Sequence, residues 1–223
     1  MYRDINRDKI KFIWREGMPT GLHYHEAGHA VVSFHFGYLA TRGKIMGMTN
    51  GVGHSLRVRH HRNLRQRRSA TARIILAGEI ASFEACKKGL ARDVTPLSIP
   101  DIEELDQLGV VVPGMDYSDN IIDKWGSPCA EKCSIFRKTI TLVRRRWTQI
   151  TSVATRFAER GELEFDEFCE CVLNSSPDFQ ADSRMCNWLV EASSTPEDPL
   201  TLEVTPGRDC TTRVKMLTRN RLI

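Results

Sequence analysis

His23-Tyr24-His25-Glu26-Ala27-Gly28-His29-Ala30-Val31-Val32-Ser33-Phe34-His35-Phe36-Gly37 is the stretch on which the reading of this chain turns. Ala27, Ala30, Val31, Val32 and Phe34 supply apolar positions, and Gly28 is the one residue of residues 22–36 that disfavours a helix. A helix is therefore predicted over residues 22–36, stopped by Gly37, a residue that tolerates a left-handed conformation. Inside it lies the pattern H-E-x-x-H. Residues four apart share a helix face, so His25 and His29 can reach one metal ion. Glu26 follows at about 100° around the axis, beside the ion, where it can take a proton from a water molecule. A catalytic zinc site has three protein ligands, so a third must come from elsewhere in the chain. All seven histidines fall between His23 and His61, which centres the chemistry near the start of the chain.

Working outward, residues 1–20 read as a charged lead-in. The runs Lys44–Met48 and Gly53–Arg59 flank Asn50-Gly51, a hairpin signal. Leu64–Lys88 carries a helical apolar pattern. Residues 90–118 hold three prolines and one short helical piece, Asp101–Leu108, and form a long connector. Short helical signals follow at Ser118–Trp125, and a long one at Ala130–Arg160, interrupted by Gly161. Phe165–Leu173 reads as a last helix, and residues 174–223 as an extension that is extended or partly disordered. The expected fold is mainly α, a helical bundle over residues 21–173 with a small β-hairpin or sheet beside the metal-site helix.

The 32 basic and 28 acidic side chains give a net charge of +4, too mild to imply nucleic-acid binding by itself. No run approaches 18 uninterrupted apolar residues, so no transmembrane helix is expected. The first residues lack the apolar core of a signal peptide. Seven cysteines without framework spacing fit free thiols, which points to a cytoplasmic setting. Arg57–Arg68 contains six arginines and no acid, and could bind an acidic partner or nucleic acid in a non-catalytic module. No aromatic residue is interleaved, which argues against a stacking surface for nucleic acid. His23 and His35 are off the ligand spacing, His54 reads as a half-exposed strand residue, and Arg144-Arg145-Arg146 reads as a solvated helix segment.

His25-Glu26-Ala27-Gly28-His29-Ala30-Val31-Val32 resembles the zinc-binding helix of the FtsH family of ATP-dependent proteases. Ala77-Gly78-Glu79-Ile80-Ala81 resembles that family's small-residue helix, with Ser82 where a glutamate is usual and Glu84 two residues on. Gly51-Val52-Gly53 resembles the turn of its active-site hairpin, and Trp147–Leu163 its closing helix and turn. The resemblance covers roughly residues 21–173. It implies a zinc metalloendopeptidase with Zn2+ on His25 and His29 and with Glu26 as general base. Its substrate would be unfolded or flexible polypeptide. No G-x-x-x-x-G-K-[ST] pattern occurs in the 223 residues, so ATP hydrolysis is not carried over, and a separate ATPase or adaptor is a candidate partner. The resemblance also implies an aspartate as third ligand, downstream of the small-residue helix and near a helix start. Asp119, Asp116 and Asp101 compete. Asp119 is preferred because Ser118 and Asp119 open an apolar turn containing Ile121 and Ile122; Asp116 reads as a helix cap, and Asp101 as part of the solvated acidic run Asp101, Glu103, Glu104 and Asp106.

Overall fold

The computed structural model describes residues 17–36, 42–45, 64–108, 134–175, 180–182, 202–206 and 211–216. It is mainly helical, as expected. The helices are α1 (Gly21–His35), α2 (Leu64–Lys87), α3 (Ile99–Gln107), α4 (Ser134–Arg145), α5 (Trp147–Arg160) and α6 (Phe165–Asn174). The strands are β1 (Arg42–Lys44), β2 (Glu162–Glu164), β3 (Gln180–Asp182), β4 (Leu202–Pro206) and β5 (Thr211–Met216). No described helix is long and apolar enough to cross a membrane.

α1 is packed on several sides and nearly all of it is buried, which explains a sequence apolar on more than one face. Its main partner is α2, with α5 on another side. Small residues make the α1–α2 approach close. A β-carbon placed on Gly28 would overlap the Ala77 carbonyl oxygen and sit 2.8 Å from the Ala81 β-carbon. Val31, Val32, Leu76, Ile80, Val143, Ile150, Val153 and Phe157 fill the core around this contact. Tyr24 of α1 stacks on Trp147 of α5, with ring centroids 5.7 Å apart and planes 2° from parallel.

The long helix expected over Ala130–Arg160 is two helices. The break is at Arg146 (φ −99°, ψ 16°). A single helix of some thirty residues would run about 45 Å, beyond what one partner helix covers. Instead α4 packs on α2 and α5 on α1. Gly161 caps α5 with φ 71°, a left-handed conformation that glycine adopts without steric cost.

The expected small sheet is present, built from strands far apart in sequence. β1 pairs antiparallel with β2, with Gly43 opposite Leu163. Its partner thus comes from beyond α5, more than a hundred residues away in sequence. Gly43 crosses the Phe157–Phe168 pair so closely that a β-carbon there would lie 2.7 Å from the Phe157 ring. The turn Asn50-Gly51, the run Gly53–Arg59 and His54 lie outside the described residues. In the C-terminal extension, β3, β5 and β4 form an antiparallel sheet in that order. β3 touches α1 and β5 touches α6.

Gly28→Ala tests the α1–α2 contact by the sign of its effect. Alanine in a helix interior is favoured over glycine by about 1 kcal/mol, yet the overlap with Ala77 forces the helices apart. A net loss of about 1–3 kcal/mol is expected in urea unfolding; an unchanged or raised midpoint would contradict this packing.

Candidate metal centre

α1 carries His25 and His29 on the face turned to α2. Both imidazoles are buried, at 3% and 8% exposure, and their centroids are 4.6 Å apart with the planes nearly perpendicular. The ring nitrogens have distinct tasks. His25 Nδ1 lies 3.1 Å from the Thr95 carbonyl oxygen, and His29 Nδ1 lies 2.8 Å from the Ile74 carbonyl oxygen. A carbonyl only accepts, so each Nδ1–H donates and the proton is fixed there. Both Nε2 lone pairs are thereby left as ligand atoms, the usual arrangement behind metal-bound histidine.

Gly78 makes this possible. A β-carbon at position 78 would overlap Nε2 and Cε1 of His29 and lie 2.9 Å from Cδ2 of His25. The imidazoles sit where α2 has no side chain, and His29 reaches the Ile74 carbonyl one turn earlier on that helix. The small pair Ala77-Gly78 therefore does two jobs, seating α1 through Ala77 and the imidazoles through Gly78.

The segment after α2 is held by side chains of α2. Ser82 Oγ accepts from Thr95 N at 2.7 Å, and Glu79 Oε2 accepts from Leu97 N at 3.3 Å. Both side chains are buried. They fix the stretch whose Thr95 carbonyl orients His25 and which leads into α3. Ser98 caps α3: its Oγ accepts from Asp101 N at 3.3 Å, while Asp101 Oδ2 accepts from Ser98 N at 3.0 Å. Ser98 Oγ also donates to that carboxylate at 2.5 Å. Proline at the first turn costs nothing there, because its missing N–H has no helical partner.

This cap delivers Asp101 to the imidazoles. One ligand atom from each of His25, His29 and Asp101 lies within 4.8 Å of the other two, and the group can hold a metal ion. Asp101 is half-buried. The expectation that it belongs to a solvated acidic face is corrected: Glu103 and Asp106 are exposed, but Asp101, in the first turn, faces inward. Asp119 and Asp116 lie outside the described residues. Among the described residues, the carboxylate brought to the histidines is Asp101.

Burial foremost, and then the neighbouring His29 imidazole, push the His25 pKa down to about 3, with Asp101 and the Thr95 carbonyl opposing. His25 is neutral at physiological pH, the form that binds a metal. Glu26 is half-buried beside it.

The remaining candidates have structural roles. His23 Nδ1 accepts from Thr20 N at 3.0 Å and closes the start of α1. Glu84, two residues past Ser82, pairs with Arg144 at 2.6 Å instead of joining the site. Arg144 is thus not simply solvated, and neither is Arg146, which is buried at the α4–α5 break and donates to His35 Nδ1 at 3.2 Å. Gly78, Glu79, Ser82 and Thr95 were not read as site residues from sequence; the signal for three of them lay in the run Ala77-Gly78-Glu79-Ile80-Ala81-Ser82. No protein-family model matches this chain, and no curated protein matches it.

Asp101→Ala is expected to abolish metal retention through gel filtration. Gly78→Ala should weaken metal binding by about 10- to 100-fold, the size of effect seen when the support of a ligand is disturbed. Metal analysis that finds wild-type content in Asp101→Ala would remove it from the ligand set.

With metal removed by chelation, the depressed His25 pKa predicts a pH effect. The unfolded chain takes up this proton near pH 6.5, whereas the folded chain resists it until about 3. The associated stability is fully present above 6.5 and is lost as pH falls towards 3. The stability difference between wild type and His25→Asn should shrink across that window; a constant difference in denaturant titrations would contradict the assignment.

Proposed function

We propose that the chain is a zinc-dependent endopeptidase acting on unfolded or flexible polypeptide segments. The observation that carries this reading is the convergence of His25, His29 and Asp101, with both Nδ1 atoms committed to carbonyls and Glu26 next to His25 in the H-E-x-x-H order. Two imidazole nitrogens and one carboxylate fit a catalytic zinc site, which keeps its fourth position for water or substrate. They fit calcium or magnesium poorly, since those ions favour oxygen donors throughout. The resemblance of residues 25–32 and 77–81 to the FtsH family supports the same reading, as does the position of Asp101 near a helix start.

Zinc bound there would supply Lewis acidity, making a water molecule acidic near neutral pH and polarising the scissile carbonyl. The chain's own contribution is proton handling and orientation. Glu26 takes a proton from the attacking water as its oxygen bonds to the carbonyl carbon. The same carboxyl then delivers that proton to the amide nitrogen as the C–N bond breaks, so the amine leaves neutral. Thr95 and Ile74 hold the imidazoles in one tautomer, and Ser98 holds the Asp101 carboxylate. Substrates in this reading are segments already unfolded or delivered by an ATPase or adaptor.

The decisive comparison is between wild type and Glu26→Gln on fluorescent casein, with zinc measured in both. The amide is nearly isosteric but cannot accept the proton. Zinc content is expected to stay near one per chain while hydrolysis falls by about 10²- to 10⁴-fold. Zinc retention with no cleavage by wild type would favour a non-catalytic module. Full activity in Glu26→Gln would overturn the assigned role of the glutamate.

A further inference from the structure

A second polar feature lies where α4 packs against α2. A cleft of about 490 Å3 carries Arg73, Arg137, Lys138 and Arg145 on its wall, with the hydroxyl residues Ser134 and Thr141 and, among the described residues, no carboxylate lining it. The α4 contribution follows from helix geometry. Ser134, Arg137, Lys138, Thr141 and Arg145 recur at spacings of three and four, which puts them on one stripe. Phe136, Thr139, Leu142 and Val143 are the buried residues that anchor α4 in the core. Arg73 reaches the same cleft from α2. Its guanidinium donates to the Lys138 carbonyl at 3.1 Å and lies 4.8 Å above the Phe36 ring, so it is held in place. His35 also lines the cleft. Arg146 can only donate, so His35 Nδ1 accepts and its ring proton sits on Nε2, making the ring a donor.

The gathering of cations in one concavity is what marks this cleft out. On the rest of the described surface some cations meet carboxylates, Lys44 with Glu162, Arg144 with Glu84, Arg156 with Glu159 and Arg160 with Glu167. Among the described residues Arg68, Lys88 and Arg92 form no ion pair, but they line no shared cleft with these residues. Arg137, Lys138 and Arg145 are exposed, and among the described residues none of the three forms an ion pair. Arg137, Lys138 and Arg145 around one concavity repel one another, and an anion placed among them relieves that repulsion while accepting charge-assisted hydrogen bonds.

We propose that this cleft binds a compact anion of the diphosphate class, either inorganic pyrophosphate or the diphosphate end of a nucleotide. The three cations without an ion pair, Arg137, Lys138 and Arg145, already call for more negative charge than the roughly −1.5 to −2 that one phosphate carries. The volume falls within the range of small-molecule sites. Among the described residues no aromatic side chain other than His35 lines the cleft, which offers little stacking surface there to the bases of a single strand.

Isothermal titration of the chain with sodium pyrophosphate at 0.15 M salt tests this, with inorganic phosphate, ADP and a single-stranded oligonucleotide as comparison arms. Pyrophosphate should bind at least ten-fold more tightly than phosphate. The double variant Arg137→Gln, Lys138→Gln should weaken it at least ten-fold, and Arg145→Gln alone should weaken it measurably. All three side chains are exposed, so unchanged melting curves are expected. Arg160→Gln, which removes a cation paired elsewhere, should bind as wild type. Tighter binding of ADP than of pyrophosphate assigns the site to a nucleotide, and the reverse to the inorganic ion. The proposal is overturned if the double variant binds pyrophosphate as wild type does, since the anion would then sit elsewhere, the metal centre included. Equal affinity for phosphate and pyrophosphate, or tighter binding of the oligonucleotide than of either, overturns it as well.

Discussion

α1 and α2 meet at Gly28, Ala77, Gly78 and Ala81, where the backbones approach with almost no side chain between them. The arrangement of the candidate metal centre follows from that approach. Two imidazoles projecting from α1 lie on the bare surface of α2 at Gly78, and one of them accepts its orientation from a backbone carbonyl of α2. A larger residue at position 28 or 78 would move the helices or the rings by more than a hydrogen bond allows. Buried histidines are costly without partners. Here each has one through Nδ1, and the Nε2 atoms are what remain for a ligand.

The second requirement is a carboxylate at the right height, met through polar support rather than packing. Glu79 and Ser82 are buried on α2 and both accept from backbone N–H groups of the segment that follows. That segment would otherwise be a proline-containing loop with unsatisfied donors. Held in this way, it presents Thr95 to His25 and starts α3 at Ser98, and the cap fixes Asp101 in the first turn. One helix therefore supplies the floor of the site, the orientation of His29 and, through the loop, the placement of both His25 and Asp101.

The three arginines 144–146 show how tertiary context separates adjacent residues. A helix sends consecutive side chains about 100° apart, and here they meet three surroundings. Arg144 finds Glu84, Arg145 faces the basic cleft, and Arg146 is buried at the helix break beside His35. Burial foremost, and then its neighbour Arg145, bring the Arg146 pKa down to about 10, which still leaves it charged at neutral pH.

Local pattern sufficed for what repeats at short range. The helix over residues 22–36, the helical run from Leu64, the stop at Gly161 and the pairing of His25 with His29 all follow from spacings within a few turns. The mainly helical class follows from them too. The small run Ala77-Gly78 was also legible, although its use as a seat for imidazoles was not. What tertiary structure alone decided is long-range. β1 takes its partner from beyond Gly161, because strand pairing depends on which edges the folded helices bring together. The run expected as one helix over residues 130–160 breaks at Arg146, because α4 and α5 serve different partners. Asp101 becomes the carboxylate of the site although its neighbours in sequence make it look like one of four solvated acids. Its signal was present in Ser98-Ile99-Pro100-Asp101, a cap and a first-turn proline. A cap says only where a helix starts, though, and which side of that helix meets the imidazoles is set by Glu79 and Ser82, some twenty residues away in sequence and in contact only once the chain has folded.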